Sequence, residues 1–359
     1  MTTEHIDPRY IDLDSWSATE MIAAMYEGQL AAAVAVGSAL GPLAAAVDDA
    51  VPALQRGGRI VYAGAGTSGR IAVQDGSELL PTFDWPADRV VFAMAGGFDA
   101  LVRSVEGAED DAAAGAQAIV DASIGADDVV IGIAASGTTP YTIAALRAAG
   151  AAGAVTIAVA SNPGAPLFDA ARHRILVDTG SEVIAGSTRM KAGTAQKIVL
   201  NLFSTAVMVR LGRVYRGLMV DMRASNAKLR RRAAAIASEI VGCPAGEAAR
   251  YLDEADGDVK TAVLLGLGWD RNEATQLLLR HGGNLRKAID ESHVTEHGAG
   301  ALSPPSGGEE PAPGLTGGRD EGVHPRAPKA RRDPSPRPSP RKSGARERNH
   351  RPGGEGRDD

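Results

Sequence analysis

The stretch IVYAGAGTSGRIAV, Ile60 to Val73, runs apolar, then glycine-rich, then apolar again. Its centre, Gly64-Ala65-Gly66-Thr67-Ser68-Gly69, spells G-x-G-x-x-G between a short β-branched run and a helix-like segment. Backbone N–H groups in such a strand-to-helix turn point at one spot, and the helix N-terminus adds positive potential, so the turn suits a phosphate. A dinucleotide also calls for an Asp or Glu at the end of the next strand, to bind the ribose. Here that strand, RVVFAMAGG, ends in Ala95-Gly96-Gly97 with no carboxylate. No Walker lysine follows either, because Ser68-Gly69 is succeeded by Arg70. Thr67 and Ser68 supply hydroxyls instead. The bare alternative is a tight turn without a ligand.

A second loop weighs against that alternative. DVVIGIAASGTTPYTIAAL has a strand, then Ser136-Gly137-Thr138-Thr139, then Pro140 at a helix start. A third loop, Ser161-Asn162-Pro163-Gly164, ends another strand and offers wall contacts. Loops of this kind gather at the carboxyl edge of a parallel sheet, where such sheets bind ligands. Hydroxyls and amides there suit the monoester phosphate of a small polar molecule.

Outward from these loops, β-branched runs recur at 59–63, 90–95, 128–135, 155–161 and 174–178, separated mostly by Ala-rich helical stretches. That alternation predicts a five-stranded parallel sheet with helices on both faces, an α/β fold. Residues 15–56 read as helices, opened by a capping box at Ser17 and Glu20. Another long helix is expected from about Thr188 to Leu211. From 226 to 290 the pattern is purely helical. Within it Ala248, Tyr251, Leu252, Gly257, Val259 and Ala262 match Ala274, Leu277, Leu278, Gly283, Leu285 and Ala288, which reads as a duplicated helix–turn–helix unit with Gly as C-cap. The expected organisation is N-terminal helices over 1–57, the sheet domain over 58–225, a small all-α domain over 226–290 and a tail over 291–359. The tail reads as disordered: 11 of the 20 prolines lie in the last 59 residues, and no aromatic follows Trp269. Its Arg- and Lys-rich part, 323–351, reads as a solvated segment, with contact to an acidic surface or RNA as the alternative.

Composition sets outer bounds. Apolar residues make up 44% of the 359-residue chain and aromatics 4%, so the core must be built from Ala, Val, Leu and Ile. A net charge of -6 argues against nucleic acid as partner of the core. The single cysteine, Cys243, forms no internal disulfide and fits a reducing, cytoplasmic setting. The polar N-terminus lacks the pattern of a signal peptide. The apolar run 30–51 is interrupted by Gly37, Gly41 and Pro42 and reads as a buried Ala-rich helix pair, not a membrane span.

Five strands with Ser/Thr-rich phosphate loops resemble the sugar isomerase (SIS) domain, a flavodoxin-like fold. Four strings narrow the resemblance: GAGTSGRIAVQDGSE (64–78), VEGAEDD (105–111), IAASGTTPY (133–141) and EVIAGSTRMKAGTAQK (182–197). They closely resemble the N-acetylmuramic acid 6-phosphate etherases, over residues 5 to about 290, with the helical region as a UBA-like domain. Leu79-Leu80 stand where that family usually has Cys-Pro. The resemblance implies a homodimer that acts on a sugar phosphate in cell-wall recycling and releases D-lactate and N-acetylglucosamine 6-phosphate. It implies elimination through the open-chain aldehyde followed by water addition, with neither metal nor other cofactor. Glu78 matches the proton donor to departing lactate, and Glu109 is assigned to C2 proton abstraction. Burial beside Leu79 and Leu80 is expected to raise the Glu78 pKa. Thr67, Ser68, Gly69, Ser136, Gly137 and Thr138 are expected to bind phosphate and sugar. Arg189 and Lys191 are expected to pair with phosphate or the lactyl carboxylate, since cations are misplaced at a helix N-terminus unless an anion is near. Other SIS proteins are sugar-phosphate sensors or aldose–ketose isomerases, and a binding-only regulator or an isomerase are the two alternatives.

Overall fold

The computed structural model describes residues 1–222 and 226–298, with 292–298 described by backbone alone. The expected disordered tail falls almost wholly outside the described residues. Helices α1 (Ala18–Ala35) and α2 (Leu40–Gln55) lead into β1 (Ile60–Gly64) and α3 (Gly66–Ser77), followed directly by the short α4 (Leu79–Phe83). Then come β2 (Val90–Met94), α5 (Ala112–Asp121), β3 (Val129–Ile133), α6 (Pro140–Ala151), β4 (Val155–Ala160) and β5 (His173–Leu176). Helix α7 (Lys191–Arg210) and a hairpin of β6 (Val214–Tyr215) and β7 (Leu218–Met219) precede α8 (Ala227–Val241), α9 (Ala245–Glu254), α10 (Val259–Gly266), α11 (Arg271–Arg280) and α12 (Leu285–Gly298).

The five long strands form one parallel sheet in the order β2-β1-β3-β4-β5. Strand alternation divides the core. Ile60, Tyr62, Ile131 and Ile157 face α2, α3 and α7, while Val61, Ala63, Val130 and Ala158 face α5 and α6. This two-sided burial explains why the strands read as continuous apolar runs. Chain order reverses at β1, so the crevice between the carboxyl ends of β1 and β3 is the topological switch point. The first two loops foreseen in the sequence leave from those two strands, whose last residues, Gly64 and Ile133, are register partners.

The expected buried helix pair is half correct. Helix α2 buries Leu43, Val47, Val51 and Leu54 in the main core. Helix α1 buries only Ala24, Gly28 and Ala32. Its opposite side presents Ile22, Tyr26, Leu30 and Val34, between 50% and 79% exposed. The span Ala18–Gln55 passes the length and hydropathy test for crossing a membrane, with a mean of 2.0. In the fold it is broken by a 3₁₀ turn at Val36–Ala39, and its second half is a core element.

The helical region carries the duplicated unit in its geometry. The Gly257 N–H donates to Leu252 O at 2.8 Å and the Gly283 N–H to Leu278 O at 2.7 Å, at matched positions. Both glycines have positive φ, +85° and +76°, the C-cap conformation that disfavours any side chain. Two boundaries differ from expectation. The hydrophobic cluster of this region reaches back to Tyr215, Val220 and Met222, because the β6–β7 hairpin straddles two cores: Tyr215 and Leu218 join the helical cluster while Val214 and Met219 pack against the sheet-side core. Helix α12 runs past 290 to Gly298. The described residues belong to one compact unit.

Candidate active site

The Gly64–Gly69 loop turns from β1 into α3. Gly69 lies so close to the strand that a Cβ there would stand 2.3 Å from Met94 Sδ and 3.0 Å from Gly64 O. Its lack of a side chain lets α3 begin against the sheet, which aims the first-turn amides over the carboxyl edge. Ser68 is buried in that turn and Thr67 half-buried beside it. The second loop follows β3. The Ser136 hydroxyl accepts from the Thr138 N–H at 3.2 Å and from the Thr138 hydroxyl at 3.1 Å, which curls the loop. Gly137 is buried, and Thr138 is exposed at the rim.

A cavity of about 340 Å³ opens beside the first loop, lined by Gly66, Arg70, Glu106 and Glu109 among others. Arg70 is held there by bonds from Nε to Ala100 O and Leu101 O, at 3.0 and 3.2 Å. The backbone of Glu109 is tied to the second loop, its carbonyl accepting from the Tyr141 N–H at 3.0 Å. One hydrogen bond thus couples the acidic segment 105–111 to the start of α6. Burial, and then Asp111, push the Tyr141 phenol above its usual pKa.

Glu78 lies elsewhere. It sits at the junction of α3 and α4, ten residues along the chain from Ser68, so about 15 Å separates the two at 1.5 Å per residue. The expected burial of Glu78 is absent in the single chain. Its carboxylate is exposed, because the kink sends Leu79 into the core while Leu80 and Glu78 face outward.

Lys191 and Arg189 lie at the start of α7, which packs beside the first loop: a Cβ on Gly193 would stand 3.7 Å from Thr67 Cγ2. The anion that the cations at this terminus called for is partly the chain's own. Glu182, fully buried, accepts from the N–H groups of Lys191 and Ala192, each at 2.9 Å. The Lys191 ammonium donates to Ser181 O at 2.8 Å, and Arg189 is exposed. Sequence reasoning missed the capping role of Glu182. The signal was available, as a carboxylate nine residues before a helix that lacks a local N-cap.

Asn162, in the third loop, is buried and acts as a brace, not as cavity wall. Its Nδ2 donates to Ala135 O and Ser136 O at 3.1 and 3.3 Å, and its Oδ1 accepts from the Thr2 hydroxyl and the Thr3 N–H at 2.9 and 3.2 Å. The first residues of the chain thereby lock the second loop from behind.

Comparison with known proteins bears on the family and the fold. Two family models match, the glucokinase regulatory protein N-terminal SIS domain over residues 42–150 and the SIS domain over residues 109–206. An N-acetylmuramic acid 6-phosphate etherase of Deinococcus radiodurans is 52% identical over 293 residues, covering 81% of this chain and 96% of that one. The chain belongs to the N-acetylmuramic acid 6-phosphate etherase family. Etherases of Mesorhizobium japonicum and Halalkalibacterium halodurans are 45% and 44% identical, covering 95% and 98% of their own lengths. The fold is that of the SIS domain with a helical C-terminal region. The candidate residues fall in two regions: Glu109 lines the cavity beside the first loop, between the ends of β1 and β2, and Glu78 lies at the outer end of α3.

Proposed function

We propose that this chain cleaves the D-lactyl ether of N-acetylmuramate 6-phosphate, giving N-acetylglucosamine 6-phosphate and D-lactate. The observation that carries the reading is the shared space between the first-loop turn at Gly66 and the carboxylate-bearing segment of Glu109. The amides and hydroxyls of Thr67, Ser68, Gly69, Ser136, Gly137 and Thr138 hold the phosphate and sugar. Arg189 is exposed beside this edge and free to meet the lactyl carboxylate or the phosphate.

An alkyl ether is a poor leaving group, but the open-chain sugar has an aldehyde at C1 that acidifies the C2 proton. Glu109 removes that proton. The electron pair forms the C2–C3 double bond, and the C3–O bond breaks as a proton from Glu78 reaches the lactate oxygen. The carboxylate left on Glu78 then takes a proton from water, which adds at C3 while C2 is reprotonated.

The C6 phosphate and the C3 ether oxygen are separated by one sugar ring, whereas Ser68 and Glu78 of one chain are separated by the length of α3. The second carboxylate therefore comes from another copy of the chain, in a homodimer whose contact encloses Glu78. The apolar ridge Ile22, Tyr26, Leu30 and Val34 supports such an association. The unpaired, half-buried Cys243 accords with a cytoplasmic enzyme of peptidoglycan-sugar recycling. Incubation with N-acetylmuramate 6-phosphate, with lactate read enzymatically, tests the reading. Release of D-lactate is expected; binding without lactate release, or isomerised sugar phosphate alone, overturns it.

A further inference from the structure

A larger cleft, of about 710 Å³, lies at the opposite edge of the sheet. It is bounded by the end of α2, the Trp85–Arg89 segment before β2, the end of α7 and the turn between α11 and α12. None of the residues assigned to the etherase reaction lines it. Its lining includes five basic side chains, Arg89, Arg210, Arg213, His281 and Lys287, against one acidic one, Asp48.

Two of the cations are locked in place mainly by neutral groups. Arg89 lies 4.1 Å from the Trp85 ring centroid and donates to the carbonyls of Leu54 and Gly58. Arg213 lies 5.1 Å from the same centroid, with Nη1 donating to Phe83 O at 2.6 Å and Asp84 O at 3.1 Å. Carbonyl oxygens orient a guanidinium but carry no net charge. The carboxylate of Asp221 stands 3.7 Å from Arg213 and is taken more closely by Lys260, at 2.6 Å. Burial and the neighbouring Arg213 pull Arg89 below the usual arginine range, as expected of two like charges facing one ring. At the rim, Arg210 pairs with Asp48 at 3.2 Å and His281 with Glu291, while the Lys287 ammonium has no ion pair among the described residues.

We propose that this cleft is a second ligand site, separate from the catalytic edge, which takes a small multiply charged anion of the phosphate-ester class. Arginine forks match phosphate oxygens two at a time, and orientation in advance by backbone carbonyls lowers the ordering cost. The volume falls within the range of small-molecule pockets. An anion there bridges the sheet domain, through Arg89 and Arg213, to the α11–α12 turn, through Lys287. Binding therefore stiffens the junction of the two regions and raises the unfolding temperature of the whole chain.

Arg89 holds two backbone carbonyls, so its removal risks the fold. The test uses the exposed rim instead. Pyrophosphate is titrated calorimetrically, at constant ionic strength, into the full-length protein, the double variant Arg210→Gln/Lys287→Glu, and Ser68→Ala. Two binding events are expected in the unaltered chain. The double variant should weaken one of them at least tenfold and lose its share of the thermal shift, with lactate release in the absence of pyrophosphate unchanged. Ser68→Ala should weaken only the other. The proposal is overturned if the double variant binds as the unaltered chain does, if Ser68→Ala abolishes all binding, or if chloride at equal ionic strength gives the same thermal shift.

Discussion

At the scale of single residues, the carboxylates separate by environment. Glu78 is exposed in one chain and assigned to a proton transfer, so Glu78→Gln should lower kcat by about 10²–10⁴-fold while leaving phosphosugar binding intact. Rapid-quench lactate assays alongside calorimetric binding of N-acetylglucosamine 6-phosphate would check it, and near-normal turnover would remove Glu78 from the mechanism. Asp128 is structural. It accepts from the Arg59 and Gly125 N–H groups at 2.8 and 2.9 Å and pairs with the Arg59 guanidinium at 2.8 Å. Burial works to raise its pKa, but the Arg59 bonds and the backbone donors outweigh that, and the net shift is downward. A carboxyl depressed in the folded state binds its proton more readily when unfolded. Its stabilisation is complete above the ordinary Asp range, near pH 4, and is lost as pH falls through the depressed value. Chemical denaturation of Asp128→Asn should show lower stability at pH 7 and a flatter decline below about pH 4.

At the scale of elements, α3 is pinned at both ends. At its start Gly69 touches β1, and Gly69→Ala should cost about 1–3 kcal/mol as the helix is pushed off Gly64 and Met94. The same shift displaces the loop amides, so KM should rise more than the stability loss alone explains. Towards its far end, buried Asp75 accepts from the Tyr62 phenol at 2.8 Å, Asn201 Nδ2 at 2.5 Å and the Ser204 hydroxyl at 3.2 Å, joining α3 to β1 and α7. Burial, then the adjacent Asp75 charge, hold the Tyr62 phenol protonated far above its usual range. Asp75→Ala leaves the buried Tyr62 and Ser204 hydroxyls without their partner and should cost at least about 1–3 kcal/mol, read from urea midpoints. Both pins were partly legible. G-x-G-x-x-G marked the first, because only a residue without a side chain fits so near the strand. The second was silent, since Asp75, Asn201 and Ser204 are ordinary helical polar residues until the fold joins them.

At the scale of the whole molecule, the proposed sharing of a site between Ser68 of one chain and Glu78 of another is open to a direct test. Mixing inactive Ser68→Ala and Glu78→Gln subunits should restore up to about a quarter of full activity if sites are shared, half the dimers being mixed and one of their two sites intact. No recovery would place each site within one chain. Ile22→Glu with Leu30→Glu on the α1 ridge should produce monomers by sedimentation and reduce turnover at least tenfold; turnover retained by monomers would contradict the shared site.

The sequence alone determined the sheet, its parallel sense, the two Gly- and hydroxyl-rich loops at strand ends and the duplicated helical unit. Those features depend on local periodicity and on glycine at particular turns, both of which are written residue by residue. The tertiary structure alone decided which groups meet: Glu109 beside the first loop, Glu182 under α7, Asn162 behind Ser136, and Arg89 with Arg213 around Trp85. It also turned Glu78 outward against the expectation of burial. Contacts between distant residues depend on how elements pack, and a carboxylate in the sequence carries no mark of whether its neighbour will be solvent, an amide or another chain.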